Sequence, residues 1–129
     1  MKPVFITTGL GLHSGLAVDQ HFFARGRFGR LAHLVTKYRQ RQVLGLGIDE
    51  STAAVIDWAA DVMFVVGDSS VAVVSAPRMA VDNMREGGSL ASFGINVDFL
   101  SEGYGYDLKR RRPLPREDAE KMVAAALET

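Results

Sequence analysis

A chain of 129 residues, 47% apolar, with 15 basic and 15 acidic side chains, suits one soluble globular domain and leaves no room for two independent cores. Zero formal net charge gives no general electrostatic reason for binding nucleic acid or an anionic membrane. The absence of cysteine excludes a disulfide scaffold, a zinc ribbon and a thiol nucleophile, and three histidines are too few for a histidine-rich metal cage.

No apolar run approaches the roughly 18 residues of a spanning helix, and the start of the chain lacks the pattern of a secretory leader. The expectation is a cytoplasmic protein that needs no metal and no cofactor. Val4–Thr7 reads as a strand that runs into the glycine loop at Gly9 and Gly11, and Leu16-Ala17-Val18 as a second short strand. The segment Asp19-Gln20-His21-Phe22-Phe23-Ala24-Arg25-Gly26-Arg27 is too polar for a core strand and too patterned for a linker. From Phe28, residues Leu31, Ala32, Leu34, Val35 and Tyr38 form an apolar arc at helical spacing, so an amphipathic helix ends near Arg39-Gln40-Arg41. Its basic end suits the negative pole of the helix dipole.

Val43–Ile48 is almost continuously apolar and stops at Asp49-Glu50, the pattern of a strand buried on both faces. Ala53–Ala59 suits either a strand or a short helix. Val62–Val66 and Val71–Ser75 flank Gly67-Asp68-Ser69-Ser70, which predicts a hairpin. Gly87-Gly88 marks a loop, Ile95–Leu100 alternates as a strand, and Ser101-Glu102-Gly103 turns it toward Tyr104–Leu108. Pro115 opens a final helix with Ala119, Met122, Val123, Ala126 and Leu127 on one face. The whole is a mixed α/β pattern with antiparallel strands toward the C-terminus.

Two segments hold the candidate chemistry. His21 follows a short strand and has the residue type of a general base. Asp19, Gln20, Arg25, Arg27 and Arg30 surround it in sequence, and arginine forks suit carboxylates, so an acidic ligand fits them. The same spacing also suits a solvated face in which Asp19 pairs with Arg25. In the second segment, Asp49 and Glu50 stand at the carboxyl end of a buried strand, where open α/β sheets place ligands; they also suit a simple cap of the following turn.

Gly9-Leu10-Gly11-Leu12, Val18-Asp19-Gln20-His21-Phe22, Arg25-Gly26-Arg27-Phe28-Gly29-Arg30-Leu31 and Leu46-Gly47-Ile48-Asp49-Glu50-Ser51-Thr52-Ala53 together resemble the cyanophycinase family. That family lies in the serine peptidase group that also holds aspartyl dipeptidases. The resemblance continues more weakly through Leu100–Leu108 and covers nearly the whole chain. It implies a Ser-His-Glu hydrolase on an α/β/α sandwich similar to class I glutamine amidotransferases. The implied substrate is cyanophycin, poly-aspartate bearing arginine side branches, and the implied product is β-Asp-Arg dipeptide. On matching positions His21 is the general base and Glu50 the acid that orients it, with Asp19, Gln20, Arg25, Arg27 and Arg30 in the substrate pocket.

The family's nucleophilic serine sits on a Gly-Gly-Ser-Ala-Gly elbow upstream of the Asp-Gln-His segment, and the residues preceding His21 contain none. Ser14 lacks the strand–elbow–helix context, Ser89 in Gly87-Gly88-Ser89-Leu90-Ala91 follows the His and Glu segments, and Ser51 reads as a local cap. The chain therefore reads as a single C-terminal segment of such a hydrolase, inactive alone and prone to self-association. Its completing partner would be an N-terminal half supplied by another chain. The competing expectation is a non-catalytic module that keeps only acidic-ligand binding, or an oligomerising remnant.

Overall fold

The computed structural model describes residues 15–23, 27–78, 80–82 and 92–128. The expected strand at Val4–Thr7, the loop at Gly87-Gly88, and Ser14, Arg25 and Ser89 lie outside them. In chain order the elements are β1 (Leu16–Gln20), α1 (Phe28–Lys37), a short 3-10 turn (Arg39–Arg41), β2 (Leu44–Ile48), β3 (Thr52–Asp57), β4 (Val62–Gly67), β5 (Ser70–Ser75), β6 (Val81–Asp82), β7 (Ser92–Phe93), β8 (Asn96–Ser101), β9 (Tyr104–Asp107), β10 (Arg112–Pro115) and α2 (Arg116–Leu127). The mixed α/β class read from the sequence is the class observed, and the ambiguous segment after Glu50 is a strand.

Two four-stranded sheets lie face to face. The first has the order β1-β2-β5-β8 and the second β10-β9-β4-β3. β1 and β2 run parallel, joined through α1; their other neighbours are antiparallel. Leu44 and Leu46 of β2, Val71 and Val73 of β5, and Leu100 of β8 meet Met63 and Val65 of β4 and Tyr106 of β9 between the sheets. Burial pushes the Tyr106 phenol up to about 12, so it sits in this core as a neutral group. α1 covers the outer face of the first sheet, and α2 packs on the outer face of the second, where Ala119 is buried against Gly105.

The hairpin predicted for 62–75 does not form. β4 pairs with β3 and β9, whereas β5 pairs with β2 and β8, so Gly67–Ser70 carries the chain from one sheet to the other. Both runs are core-buried, and each is paired on both sides within its own sheet, β4 between β3 and β9 and β5 between β2 and β8. The hairpins whose turns lie among the described residues are β3–β4 and β9–β10. In α2 the expected apolar face is broken at its end, because Leu127 is exposed.

The alternation of residues in β2 sets the spacing under α1. Leu44 and Leu46 point between the sheets, while Gly45 and Gly47 face the other side. A Cβ at Gly45 would lie 2.7 Å from the Val35 side chain, and one at Gly47 would lie 2.5 Å from the Phe22 ring. Phe22 is fully buried there, directly after His21. Gly47→Ala is therefore expected to destabilise by about 1–3 kcal/mol through displacement of Phe22, measurable as a lowered urea midpoint with unchanged m-value.

The β9–β10 turn is tied by one carboxylate. Asp107, 1% exposed, accepts hydrogen bonds from the Lys109 and Arg110 amides at 3.0 and 2.9 Å and pairs with the Arg110 guanidinium at 3.1 Å. Burial opposes ionisation of Asp107, but these donors outweigh it and hold the carboxyl below the usual aspartate range. A depressed folded pKa makes this contribution present above the unfolded value near ~4 and lost as pH falls through the folded value. Unfolding free energy is expected to decline below about pH 4, and Asp107→Asn, which keeps an acceptor for the amides, is expected to flatten that part of the profile.

Candidate active site

The parallel pairing of β1 and β2 brings the candidate residues together. Gln20 is in register with Ile48, so both strands end at the same edge of the sheet. His21 follows one strand end and Asp49-Glu50 the other. Across this edge His21 Nδ1 lies 3.0 Å from Glu50 Oε1. A carboxylate at that distance favours the tautomer with hydrogen on Nδ1 and leaves Nε2 as the nitrogen able to take a proton. The pair is about half exposed, 46% for His21 and 58% for Glu50, so it adds little to stability; its consequence is orientation.

Both residues stand beside left-handed backbone. His21 has φ 50° and Ser51 φ 53°, conformations that cost a residue other than glycine of order 1–3 kcal/mol and persist where the surroundings enforce them. The enforcing contacts are visible. The Phe22 amide donates to the Ile48 carbonyl at 3.2 Å, and the Arg27 amide donates to the Phe22 carbonyl at 3.1 Å. The Arg27 guanidinium donates to the Gln20 carbonyl at 3.0 Å, so the turn is held from both sides.

Asp49 does what its sequence position left open. Its Oδ1 accepts the Phe23 amide at 3.3 Å and its Oδ2 accepts the Ser69 hydroxyl at 2.6 Å. The Thr52 hydroxyl donates to the Glu50 carbonyl and accepts the Ser69 amide, both at 3.0 Å. Asp49, Thr52 and Ser69 thus fasten the two loops that carry His21 and Glu50. Sequence reading missed Ser69, because it lies twenty residues from Asp49 in a segment that the pattern assigned to a hairpin.

Asp19 is 7% exposed and holds two arginines. Arg30 forks onto it through Nε at 2.6 Å and Nη2 at 2.5 Å, and Arg27 Nη1 reaches Oδ1 at 3.3 Å. This hydrogen bonding raises the Arg30 pKa further above its ordinary value. Among the described residues the acid's partners are Arg27 and Arg30; the Arg25 pairing weighed above lies outside them. Arg30 remains nearly half exposed, with an outer edge facing solvent. Gln20 is exposed at the end of β1, and His33 is buried within α1.

Among the described residues no cluster of three or more His, Asp or Glu side chains could hold a metal ion, and no helix is long and apolar enough to cross a membrane. No family model matches the chain. It is, however, 36% identical over 118 residues to proteins named cyanophycinase from Trichormus variabilis and from a Nostoc species, matching 87% of this chain. A cyanophycinase from Geminocystis herdmanii is 32% identical over 114 residues, or 86% of this chain.

The chain is a cyanophycinase homologue. It spans well under half of these relatives, 38% of the first two and 41% of the third. In this cyanophycinase homologue, Asp49→Ala is expected to release the Phe23 amide and the Ser69 hydroxyl and loosen the His21 turn. The nitrogen-15 shifts of the His21 imidazole should then move from a dominant Nδ1–H tautomer toward a mixture, with stability lowered by about 1 kcal/mol. An unchanged tautomer in a folded Asp49→Ala protein would contradict this role.

Proposed function

We propose that this chain supplies the base-and-orienter half of a serine-type hydrolase that cleaves aspartyl polymers of the cyanophycin kind. The observation that carries the reading is the 3.0 Å His21–Glu50 contact at the joined ends of two parallel strands. Glu50 fixes the imidazole, His21 Nε2 takes the proton of an attacking hydroxyl, and the resulting imidazolium is stabilised by the same carboxylate. Asp19, Gln20, Arg25, Arg27 and Arg30 form the acidic-substrate side of the pocket. Within it Asp19 sets the angle of the Arg27 and Arg30 guanidinium planes, and the outer edge of Arg30 receives a substrate carboxylate.

The hydroxyl nucleophile and its oxyanion donors come from outside these 129 residues, since no Gly-x-Ser-x-Gly elbow occurs in them. The isolated chain is accordingly inactive, and activity appears on association with a segment that carries the elbow. A chimaera tests this directly: the matched 118-residue segment of the Nostoc cyanophycinase is replaced by this chain. Release of β-Asp-Arg from cyanophycin is expected from the chimaera and not from the chain alone. His21→Ala should lower kcat about 10²–10⁴-fold, whereas Arg30→Ala should act mainly on KM. Turnover by the isolated chain that His21→Ala abolishes, or a chimaera indifferent to His21, would overturn the proposal.

A further inference from the structure

Each four-stranded sheet ends in two edge strands, and an edge strand offers amide and carbonyl groups that a further strand can pair with. Three of these four edges are guarded or committed. β10 carries prolines at positions 113 and 115, so two of its four residues have no amide donor. β8 carries Asp98, which is in register with the core residue Val73 and therefore turns its carboxylate toward the space between the sheets, where its charge also acts on Tyr106. An inward-pointing charge on an edge strand discourages a further strand from docking. β1 runs into His21, so its free edge belongs to the site already described.

β3 has none of these guards. Its six residues pair along their whole length with β4, and among the described residues no strand pairs with its other side. The run Thr52-Ala53-Ala54-Val55-Ile56-Asp57 contains no proline and no basic residue. Its one carboxylate, Asp57, stands last and accepts the Ala60 amide at 3.0 Å. Both faces of the strand are apolar. Ala54 and Ile56 pack against the core between the sheets yet stay partly exposed, so the core is open along this edge. Val55 lies on the opposite face, in the cross-strand row Val55–Phe64–Gly105. α2 seats Ala119 against Gly105, and its Arg116 guanidinium lies 5.9 Å from the centre of the Phe64 ring. That cover stops short of Val55, which is 50% exposed.

A second copy of the same strand satisfies this edge. Residues directly opposed in an antiparallel pair share a face of the sheet. Two antiparallel copies related by a two-fold axis at Val55 therefore set Val55 against the partner's Val55, Ala54 against the partner's Ile56, and Ala53 against the partner's Asp57. No like charges oppose each other, and on the core face a small side chain meets a large one. Such an isologous contact closes at two copies, because each spends its β3 edge and the remaining edges are guarded or committed. We propose that the chain forms a two-fold dimer through β3, which joins the two β10-β9-β4-β3 sheets into one continuous sheet and extends the core across the axis.

Light scattering coupled to size exclusion tests this on the 129-residue chain over a range of concentrations, where a monomer–dimer equilibrium is expected. Val55→Lys and Val55→Glu each put like charges opposite one another at the axis and should weaken association more than about tenfold. An equimolar mixture of the two variants should recover the dimer, since opposite charges then meet. The chain has no cysteine, and opposed residues of an antiparallel pair stand about 4.5–5.5 Å apart, within disulfide reach. With copper–phenanthroline as oxidant, Val55→Cys should give a disulfide-linked dimer, whereas Val18→Cys, 55% exposed on β1, should not. The cysteine variant keeps a small apolar side chain and so decides the question even where a charge at position 55 prevents folding. His21→Ala should leave the dimer intact, because the contact is independent of the hydrolase reading. A monomer at every concentration, assemblies larger than two copies, a dimer indifferent to either charge, charged variants that fold but fail to recombine, or crosslinking through Val18→Cys as fast as through Val55→Cys would overturn the β3 dimer.

Discussion

The parallel register of β1 against β2 is the constraint on which the site depends. Parallel neighbours need a crossover between them, and α1 with its following turn supplies it. Once Gln20 faces Ile48, the next residues on each strand must leave the sheet at one edge, and His21 and Glu50 fall within hydrogen-bonding distance. A slip of one residue would turn every β2 side chain to the other face, putting Leu44 and Leu46 under α1 and the glycines into the core between the sheets. The core pattern therefore protects the geometry of the dyad, although no core residue touches it.

Close approach does the second part of the positioning. Gly45 and Gly47 let α1 and the Phe22 ring settle onto β2 at distances that any larger residue would block. With Phe22 seated, its amide and carbonyl are committed to Ile48 and Arg27, and the left-handed turn at His21 is enforced rather than merely tolerated. Asp19 adds an electrostatic tie between β1 and the start of α1, since its buried carboxylate needs the two guanidinium groups as much as they need it. The orientation of Arg27 and Arg30 is thus a property of the fold before any ligand arrives.

Balanced composition conceals an uneven distribution. Around His21 the carboxylates of Asp19, Asp49 and Glu50 stand with the guanidinium groups of Arg27 and Arg30, both bound to Asp19, and at the other end Asp107 holds Arg110. A net charge of zero says nothing about the local field at a site.

Local pattern determined a good deal. The helical arc from Phe28, the buried run Val43–Ile48, the alternation of Ile95–Leu100 and the opening of α2 after Pro115 were all legible, because periodicity and caps are written within a few residues. The Asp-Gln-His and Asp-Glu segments were also legible as chemistry by their residue types. Sheet membership was not. Val62–Val66 and Val71–Ser75 carry a good hairpin signal around Gly67, yet they enter different sheets, because burial on both faces is decided by partners far along the chain. For the same reason Ser69 on Asp49, and Arg27 and Arg30 on Asp19, became visible only in three dimensions. The sequence by itself determined which residues could act as base, acid and cation; the tertiary structure decided which of them meet, because contacts between distant strands are set by the packing of the whole core and not by any local run of residues.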